Sequence, residues 1–454
     1  MFLLYLALPW AKVRNWLLIA ASLVFYAWGE PLYVLLMVFS AAVNYFLALA
    51  AGKRAGEGKS VLALKTVAVV FNIGLLAVFK YAAFAVVSIN GAFGASIPVP
   101  KIASPLGISF FTFQALSYVL DAASQRVRAE KSFPKVLLFI SFFAQLLQGP
   151  IIRWGEIERE LDERKLTAGG CAEGLRLFII GLAMKLLIAN TLGKISAFVF
   201  SLEASSLNAA YAWLGAIAFM LRLYFDFGGY SQMAIGLGMI FGFTIPRNFN
   251  YPYIAYSMTD FWRRWHITLS RWFRDYVYIP MGGNRKGAFR TGLNKVVVFL
   301  LTGLWHGANW TFVVWGAYNG AFLLGENYLK KTKLRLPKIV TWFYTIVVVT
   351  VGFAVFNSPN MAYAVKYVAS MFTGFAVGAD TWARLSLLMS PIKLVTLAAA
   401  VVAATPLAKL ICERAASRPK LQFALRYGSA VVLLALCLFY VALGNYSPSI
   451  YTRF

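Results

Sequence analysis

Only two of the 454 residues are histidines, and each stands in a segment rich in tryptophan. His266 lies in FWRRWHITLSRWFRDYVY, and His306 lies in LLTGLWHGANW. A neutral imidazole can take a proton from a hydroxyl group near neutral pH, which makes it a suitable general base. The two segments therefore indicate either proton-transfer chemistry or two buried histidines that brace neighbouring helices.

The composition predicts that both segments lie in a membrane protein. Hydrophobic residues make up 60% of the chain and charged residues only 13%, against about a half and a quarter in a soluble domain. Apolar runs recur at near-spanning length, including Pro31–Ala51, Leu175–Phe200 and Val296–Leu324. Lipid leaves no partner for free backbone groups, so helices are required. We expect an all-α polytopic membrane protein with about 11–13 transmembrane or re-entrant helices, in one domain over residues 1–454.

The charge distribution predicts a topology. The net charge is +26, from 43 basic and 17 acidic residues. Because the basic residues cluster in loops, contacts with anionic lipid headgroups explain them better than nucleic acid does. The loop at Lys12 and the loop at Lys53 are basic, which places both in the cytoplasm and the N-terminus outside. Lys330–Lys338 is a further basic loop, expected to be cytoplasmic.

The segment around His266 has two chemically different faces when drawn as one helix over Phe261–Tyr278. One arc carries aromatic and apolar side chains together with His266, so this histidine is expected to point toward protein. The opposite arc carries Arg263, Arg264, Arg271 and Arg274. These arginines either reach lipid phosphates from an interfacial helix or bind an anionic acyl donor at an entrance to the site.

His306 is expected to lie deep in the membrane. It follows Lys295, a boundary candidate, by eleven residues, which is about 17 Å of helix in a hydrocarbon core of about 30 Å. At that depth the neutral form of imidazole is favoured. Gly303 and Gly307 leave room for a neighbouring helix or a substrate, and Asn309 adds a hydrogen-bonding group. A structural histidine bonded to another helix is the alternative.

Further polar or aromatic residues are candidates for positioning a substrate or stabilising an oxyanion. They are Asn309, Trp305, Tyr224 and Asp226. An indole N–H or an amide can donate to the oxyanion that forms when an acyl carbon is attacked. The three cysteines show no zinc or disulfide pattern.

Several long strings in the chain resemble the bacterial membrane-bound O-acyltransferases, and most closely their alginate and peptidoglycan O-acetyltransferase branch. They are FWRRWHITLSRWFRDYVYIPMGGNRKG and GLWHGANWTFVVWG, with supporting strings FYAWGEPLY, PLGISFFTFQALSYVLD, FFAQLLQGPIIRW, LYFDFGGYSQMAIGL, IPRNFNYPYIA and the closing NYSPSIYTRF. The resemblance implies a helical bundle around a central funnel. It implies that His306 is catalytic and that His266 is the second histidine of the motif. Gln232 and Asn190 depart from the family, because acidic residues are expected there.

The resemblance also implies an activity. A cytoplasmic thioester, acetyl-CoA or an acyl-carrier-protein thioester, would donate an acyl group, most simply acetyl, with no permanently bound cofactor. The acceptor would be an extracytoplasmic polysaccharide, an SGNH or esterase-like acetyltransferase, or a small membrane peptide. The expected location is the bacterial cytoplasmic membrane. The alternatives are D-alanyl transfer in teichoic-acid modification, a non-enzymatic glycan transporter, and a scaffold of the cell envelope.

Overall fold

The computed structural model describes residues 1–329, 332 and 336–444. Most of the basic loop at Lys330–Lys338 and all of the closing string at Asn445–Phe454 lie outside these residues. The described chain consists of helices and connecting segments and contains no strand. The all-α fold class is therefore confirmed.

The helices up to residue 240 are Phe2–Ala7, Ala11–Gly29, Tyr33–Gly56, Leu62–Leu76, Ala77–Tyr81 (π), Ala82–Phe93, Ile108–Ala122, Phe133–Ser141, Trp154–Ile157, Glu158–Leu161 (3₁₀), Ala168–Ala183, Met184–Ala189 (π), Asn190–Phe200, Ala204–Ser206 (3₁₀) and Ala209–Ile240. The later helices are Pro252–Ile254 (3₁₀), Met258–Arg264, Ile267–Phe273, Arg274–Tyr278 (π), Gly287–His306, Trp310–Leu329, Lys338–Asn357, Met361–Thr373, Ala379–Leu388, Pro391–Ala403, Leu407–Arg414, Ala415–Ser417 (3₁₀), Pro419–Phe423, Ala424–Gly428 (π) and Ser429–Ala442.

The chain forms two compact units. One comprises Met1–Leu175 and Ala234–Pro246, and the other comprises Arg176–Met233 and the chain from Arg247 onward. Both histidines belong to the second unit. The single membrane domain over residues 1–454 and the central funnel stay predictions.

Five described helices are long and apolar enough to cross a membrane, which makes this a multi-pass membrane protein. They are Tyr33–Gly56, Leu62–Phe93, Ala168–Phe200, Lys338–Asn357 and Pro419–Ala442. A pair bent by 80°, Ala379–Leu388 with Pro391–Ala403, brings the number to six if it counts as one span. The expected number of about 11–13 transmembrane or re-entrant elements stays a prediction.

The apolar run Val296–Leu324 is not one continuous span. It forms a hairpin of two helices, Gly287–His306 and Trp310–Leu329, joined at residues 307–309. Two glycines allow the helices to touch along their backbones: a Cβ on Gly303 would lie 2.2 Å from the carbonyl oxygen of Phe312, and one on Gly316 would lie 2.4 Å from that of Phe299. Backbones approach this closely where the facing residues are very small, and glycine allows the closest approach. His306 therefore ends the first helix, at the turn of the hairpin.

The prediction of a single helix over Phe261–Tyr278 is wrong. Helices Met258–Arg264 and Ile267–Phe273 are separated by a kink at which His266 adopts φ 43° and ψ 55°, a left-handed conformation that is uncommon for a residue with a side chain. A neighbouring extended segment stabilises the kink. The N–H of Ile267 donates to the carbonyl of Asn248 at 2.9 Å, and the N–H of Asn250 donates to that of Arg264 at 2.9 Å. A helical wheel cannot detect such long-range hydrogen bonds.

Candidate active site

The two histidines meet at one indole ring. The centroid of Trp305 lies 5.8 Å from that of His266 and 5.1 Å from that of His306. Both imidazoles are buried, with 1% and 4% of their surface exposed. The hairpin supplies His306 and Trp305, and the kink supplies His266. The fold thus brings together two segments that are forty residues apart in the sequence.

Aromatic rings enclose His306. Its imidazole lies edge-on to Trp315 at 5.2 Å and to Phe356 at 5.2 Å, in addition to Trp305. Trp315 comes from the second helix of the hairpin, and Phe356 comes from the end of helix Lys338–Asn357. Edge-to-face pairs of this kind contribute about 0.5–1.5 kcal/mol each beyond burial. The ring of His306 is therefore held in place by packing on several sides.

His266 is held by a hydrogen bond as well as by ring packing. Its Nδ1 lies 3.1 Å from Oδ1 of Asn248, and its ring packs edge-on against Phe227 at 4.7 Å. Burial lowers the pKa of the His266 imidazole to about 3. This group lies outside the candidate membrane-spanning helices. His266 is therefore neutral across the physiological pH range.

Tyr224 and Asp226 point to different sides of helix Ala209–Ile240. Tyr224 joins the aromatic core beside the kink, with its ring 6.4 Å from Trp265. Asp226 faces the preceding helices instead, where it forms a buried ion pair with Lys185 at 2.5 Å. Near this pair the two helices touch at their backbones, because a Cβ on Gly181 would lie 2.4 Å from the carbonyl oxygen of Gly229. The structure thus separates Asp226 from the histidine side of the helix.

Asn309 caps the second helix of the hairpin. Its Oδ1 accepts from the N–H of Thr311 at 3.1 Å, and its Nδ2 donates to the carbonyl of Pro359 at 3.0 Å. These contacts position the turn directly after His306. Stabilisation of an oxyanion by Asn309 or by Trp305 stays a prediction.

The four arginines differ in their surroundings. Arg264 is paired with Asp260, with Nε 3.0 Å from a carboxylate oxygen, and Arg274 is paired with Asp275 at 2.6 Å. Arg263 is exposed and Arg271 is half-buried. Five aromatic residues of the same segment are buried, in line with the two-faced pattern, while two tyrosines are partly buried: the former are Phe261, Trp262, Trp265, Trp272 and Phe273, and the latter are Tyr276 and Tyr278. Donor binding by these arginines stays a prediction.

The sequence reasoning missed Glu326, which connects the hairpin to the kinked segment. Its carboxylate is buried and accepts from the backbone N–H groups of Met258 and Thr259 and, at 2.9 Å, from the hydroxyl of Thr259. These groups begin helix Met258–Arg264, where a negative charge is favourable. In the sequence, the signal that pointed to Glu326 was a single carboxylate within the largely apolar run LLGENYL.

The chain is similar in sequence to known proteins. A model of the MBOAT, membrane-bound O-acyltransferase family, matches residues 22–365. The chain is 40% identical over 370 residues to a probable alginate O-acetylase of Azotobacter vinelandii, covering 80% of this chain and 73% of that protein. It is 36% identical over 385 residues to a peptidoglycan O-acetyltransferase of Helicobacter pylori, covering 78% and 73%.

A more distant similarity covers only about half of the chain. A teichoic acid D-alanyltransferase of Bacillus subtilis is 30% identical over 249 residues, which is 52% of this chain and 62% of that protein. The family match covers most of the chain, and the two acetyltransferases align over most of their own length. The chain therefore belongs to the membrane-bound O-acyltransferase family and is an acyltransferase.

Proposed function

We propose that this acyltransferase moves an acetyl group from a cytoplasmic thioester to a hydroxyl of an extracytoplasmic cell-envelope polysaccharide or of a partner acceptor. The observation that carries the proposal is the pair of buried imidazoles on one indole, at the two motifs that carry the family resemblance. The similarity to O-acetyltransferases over about four fifths of the chain supports acetyl as the group transferred.

His306 is the proposed general base. It removes the proton from the acceptor hydroxyl while that oxygen attacks the thioester carbonyl carbon. A new C–O bond forms, the C–S bond breaks, and the thiolate leaves and takes up the proton. In a second version of the step, His306 accepts the acyl group first and then passes it to the hydroxyl. In both versions the rigid aromatic surroundings of His306 keep the imidazole aligned with the reacting carbon.

The donor is acetyl-CoA or an acyl-carrier-protein thioester, both of which carry phosphate. Arg263, Arg264, Arg271 and Arg274 are the proposed donor-binding residues, since guanidinium groups bind phosphate oxygens in a bidentate manner. Arg263 is the first to test, because its side chain is exposed. Arg264 and Arg274 already bind carboxylates within their own segment, so phosphate would have to share or displace those contacts.

The same proposal includes the acceptor of the acetyl group and the cellular location of the enzyme. The enzyme lies in the bacterial cytoplasmic membrane, in contact with membrane lipids. It hands the acetyl group to the polysaccharide, to an SGNH or esterase-like acetyltransferase, or to a small membrane peptide. D-alanyl transfer is the second candidate, supported by the similarity to a teichoic acid D-alanyltransferase. The shorter alignment and lower identity of that relative favour acetyl transfer.

One experiment tests both the group transferred and the base. Purified protein in vesicles receives acetyl-CoA labelled in the acetyl group, together with cell-envelope fractions, and the label in the polymer is measured. We expect transfer by the wild-type protein and a loss of at least about a hundredfold for His306→Gln. Unfolding temperature confirms that the variant is folded. A parallel assay supplies labelled D-alanine as a carrier-protein thioester, and transfer from this donor but not from acetyl-CoA would identify the second candidate. Near-normal transfer by folded His306→Gln would exclude His306 as the base.

A further inference from the structure

Asn248 makes an unusual number of contacts at the kink that carries His266. Its Oδ1 lies 3.1 Å from Nδ1 of His266, 3.0 Å from the hydroxyl of Thr268 and 3.3 Å from the backbone nitrogen of Thr268. Its Nδ2 donates to the hydroxyl of Ser231 at 3.3 Å. Its backbone carbonyl accepts from the N–H of Ile267 at 2.9 Å. Asn248 is 1% exposed, so water does not replace these partners.

These contacts determine which way the amide of Asn248 points. The backbone N–H of Thr268 can only donate a hydrogen bond, so the atom that faces it must be the amide oxygen and not the amide nitrogen. The amide nitrogen then faces the hydroxyl of Ser231, which can accept. The amide orientation therefore follows from hydrogen-bond chemistry.

The orientation of the amide fixes the proton on the neighbouring histidine. An amide oxygen only accepts, so Nδ1 of His266 must carry the hydrogen that points at it. Neutral imidazole has a single N–H, which leaves a lone pair on Nε2. Within the described part of the chain, Nε2 of His266 has no hydrogen-bond partner. We propose that Asn248 is a positioning residue that holds His266 as the Nδ1–H tautomer, so that Nε2 serves as the hydrogen-bond acceptor of the active site.

The consequence for catalysis rests on the proposed acyl transfer, whereas the tautomer itself does not. With Nε2 as acceptor, His266 can receive a hydrogen bond from the attacking hydroxyl and orient it. In the other tautomer, Nε2 would carry a hydrogen and could not accept the hydrogen bond from the attacking hydroxyl. In a Ser-His-Asp protease, replacing the residue that holds the histidine leaves the wrong tautomer and lowers kcat by about 10⁴, which indicates how much a wrong tautomer can cost.

The first test measures the tautomer directly and needs no variant of Asn248. Because the chain has two histidines, ¹⁵N-histidine labelling followed by solid-state NMR in lipid gives two ring systems, and the His306→Gln variant leaves only that of His266. We expect a protonated Nδ1 and an unprotonated Nε2 at neutral pH. A protonated Nε2 on His266 would overturn the proposal, whatever the enzyme's substrate.

The second test links the tautomer to turnover. Asn248→Leu keeps the volume but removes the acceptor, and we expect a mixture of tautomers and a fall in kcat of about a hundredfold, with KM little changed. Asn250→Ala is the matched control, because this asparagine lies two residues away with an exposed side chain, and it should resemble the wild type in both readouts. Equal kcat for the two variants, or an unchanged His266 spectrum in Asn248→Leu, would refute the proposal. If wild-type protein transfers no acyl group, the proposed function fails while the spectrum still tests the tautomer.

Discussion

Replacing Gly316 by alanine tests whether the backbone contact in the hairpin positions His306. The added Cβ would lie 2.4 Å from the carbonyl oxygen of Phe299 and 3.2 Å from the Cα of Leu300. Both are backbone atoms, so no change of rotamer relieves the clash. Non-bonded heavy atoms are best placed about 3.5–4.0 Å apart, so the two helices must separate by roughly 1 Å.

The magnitude follows from two opposing effects. Forcing an extra methyl group into a packed interface costs about 1–3 kcal/mol, while alanine gains up to about 1 kcal/mol over glycine in helix propensity. We expect Gly316→Ala to lower the free energy of unfolding by about 1–2 kcal/mol. His306 ends the helix that must move, and a shift of about 1 Å in a reacting group can cost about a hundredfold in rate. Acyl transfer should therefore fall by about that factor.

Gly325→Ala is the matched control for this variant. Gly325 lies on the same helix as Gly316, and a Cβ there meets nothing within 4 Å. We expect this control to keep full activity and to unfold at the same temperature as the wild type or slightly above it. Unfolding temperature in lipid and label transfer from acetyl-CoA are measured for both variants. If Gly316→Ala matches Gly325→Ala in both measurements, the close backbone contact does not position His306.

Two further predictions concern buried charge. Lys185→Met should lower the free energy of unfolding by about 3–5 kcal/mol because it removes a buried cation that pairs with the carboxylate of Asp226. Thermal unfolding of the double variant Lys185→Met with Asp226→Leu should show most of that loss restored, and a double variant no more stable than the single one would contradict this. For His266, the folded pKa of about 3 lies below the unfolded value of 6.5, so the unfolded state binds a proton first as the pH falls. The free energy of unfolding should drop by about 2 kcal/mol between pH 7 and pH 5 from this group alone, and unfolding curves of His266→Phe should lack that part of the pH dependence.

The sequence predicted which residues are buried better than it predicted where helices end. Most of the aromatic face of Phe261–Tyr278 and both histidines are buried as expected, because apolar periodicity reports burial directly. The kink at His266 was not predicted, since it depends on hydrogen bonds to Asn248, which lies 18 residues earlier. The turn at residues 307–309 was missed for a related reason. Hydropathy does not distinguish one long apolar helix from two helices that pack on each other.

Asp226 shows a second limit of reasoning from residue type. It lies two residues from Tyr224 and was grouped with it as a substrate-positioning candidate. On a helix, two residues apart means nearly opposite faces. Asp226 pairs with Lys185, which lies within an apolar helix and gave little signal in a search for catalytic groups.

Different contacts hold the two histidines in place, and this decides how their roles can be separated. Close packing positions His306: the glycine contacts of the hairpin set its helix, and aromatic rings that include Trp305, Trp315 and Phe356 confine its imidazole. His266 is positioned by hydrogen bonds to Asn248. Packing constrains where a ring lies but not which nitrogen carries the proton, whereas an amide oxygen constrains both. Substitutions at the hairpin glycines are therefore expected to move the imidazole of His306. Substitutions at Asn248 are expected to change which nitrogen of His266 carries the proton. Because Trp305 contacts both rings, it is the residue through which a displacement of either histidine would reach the other.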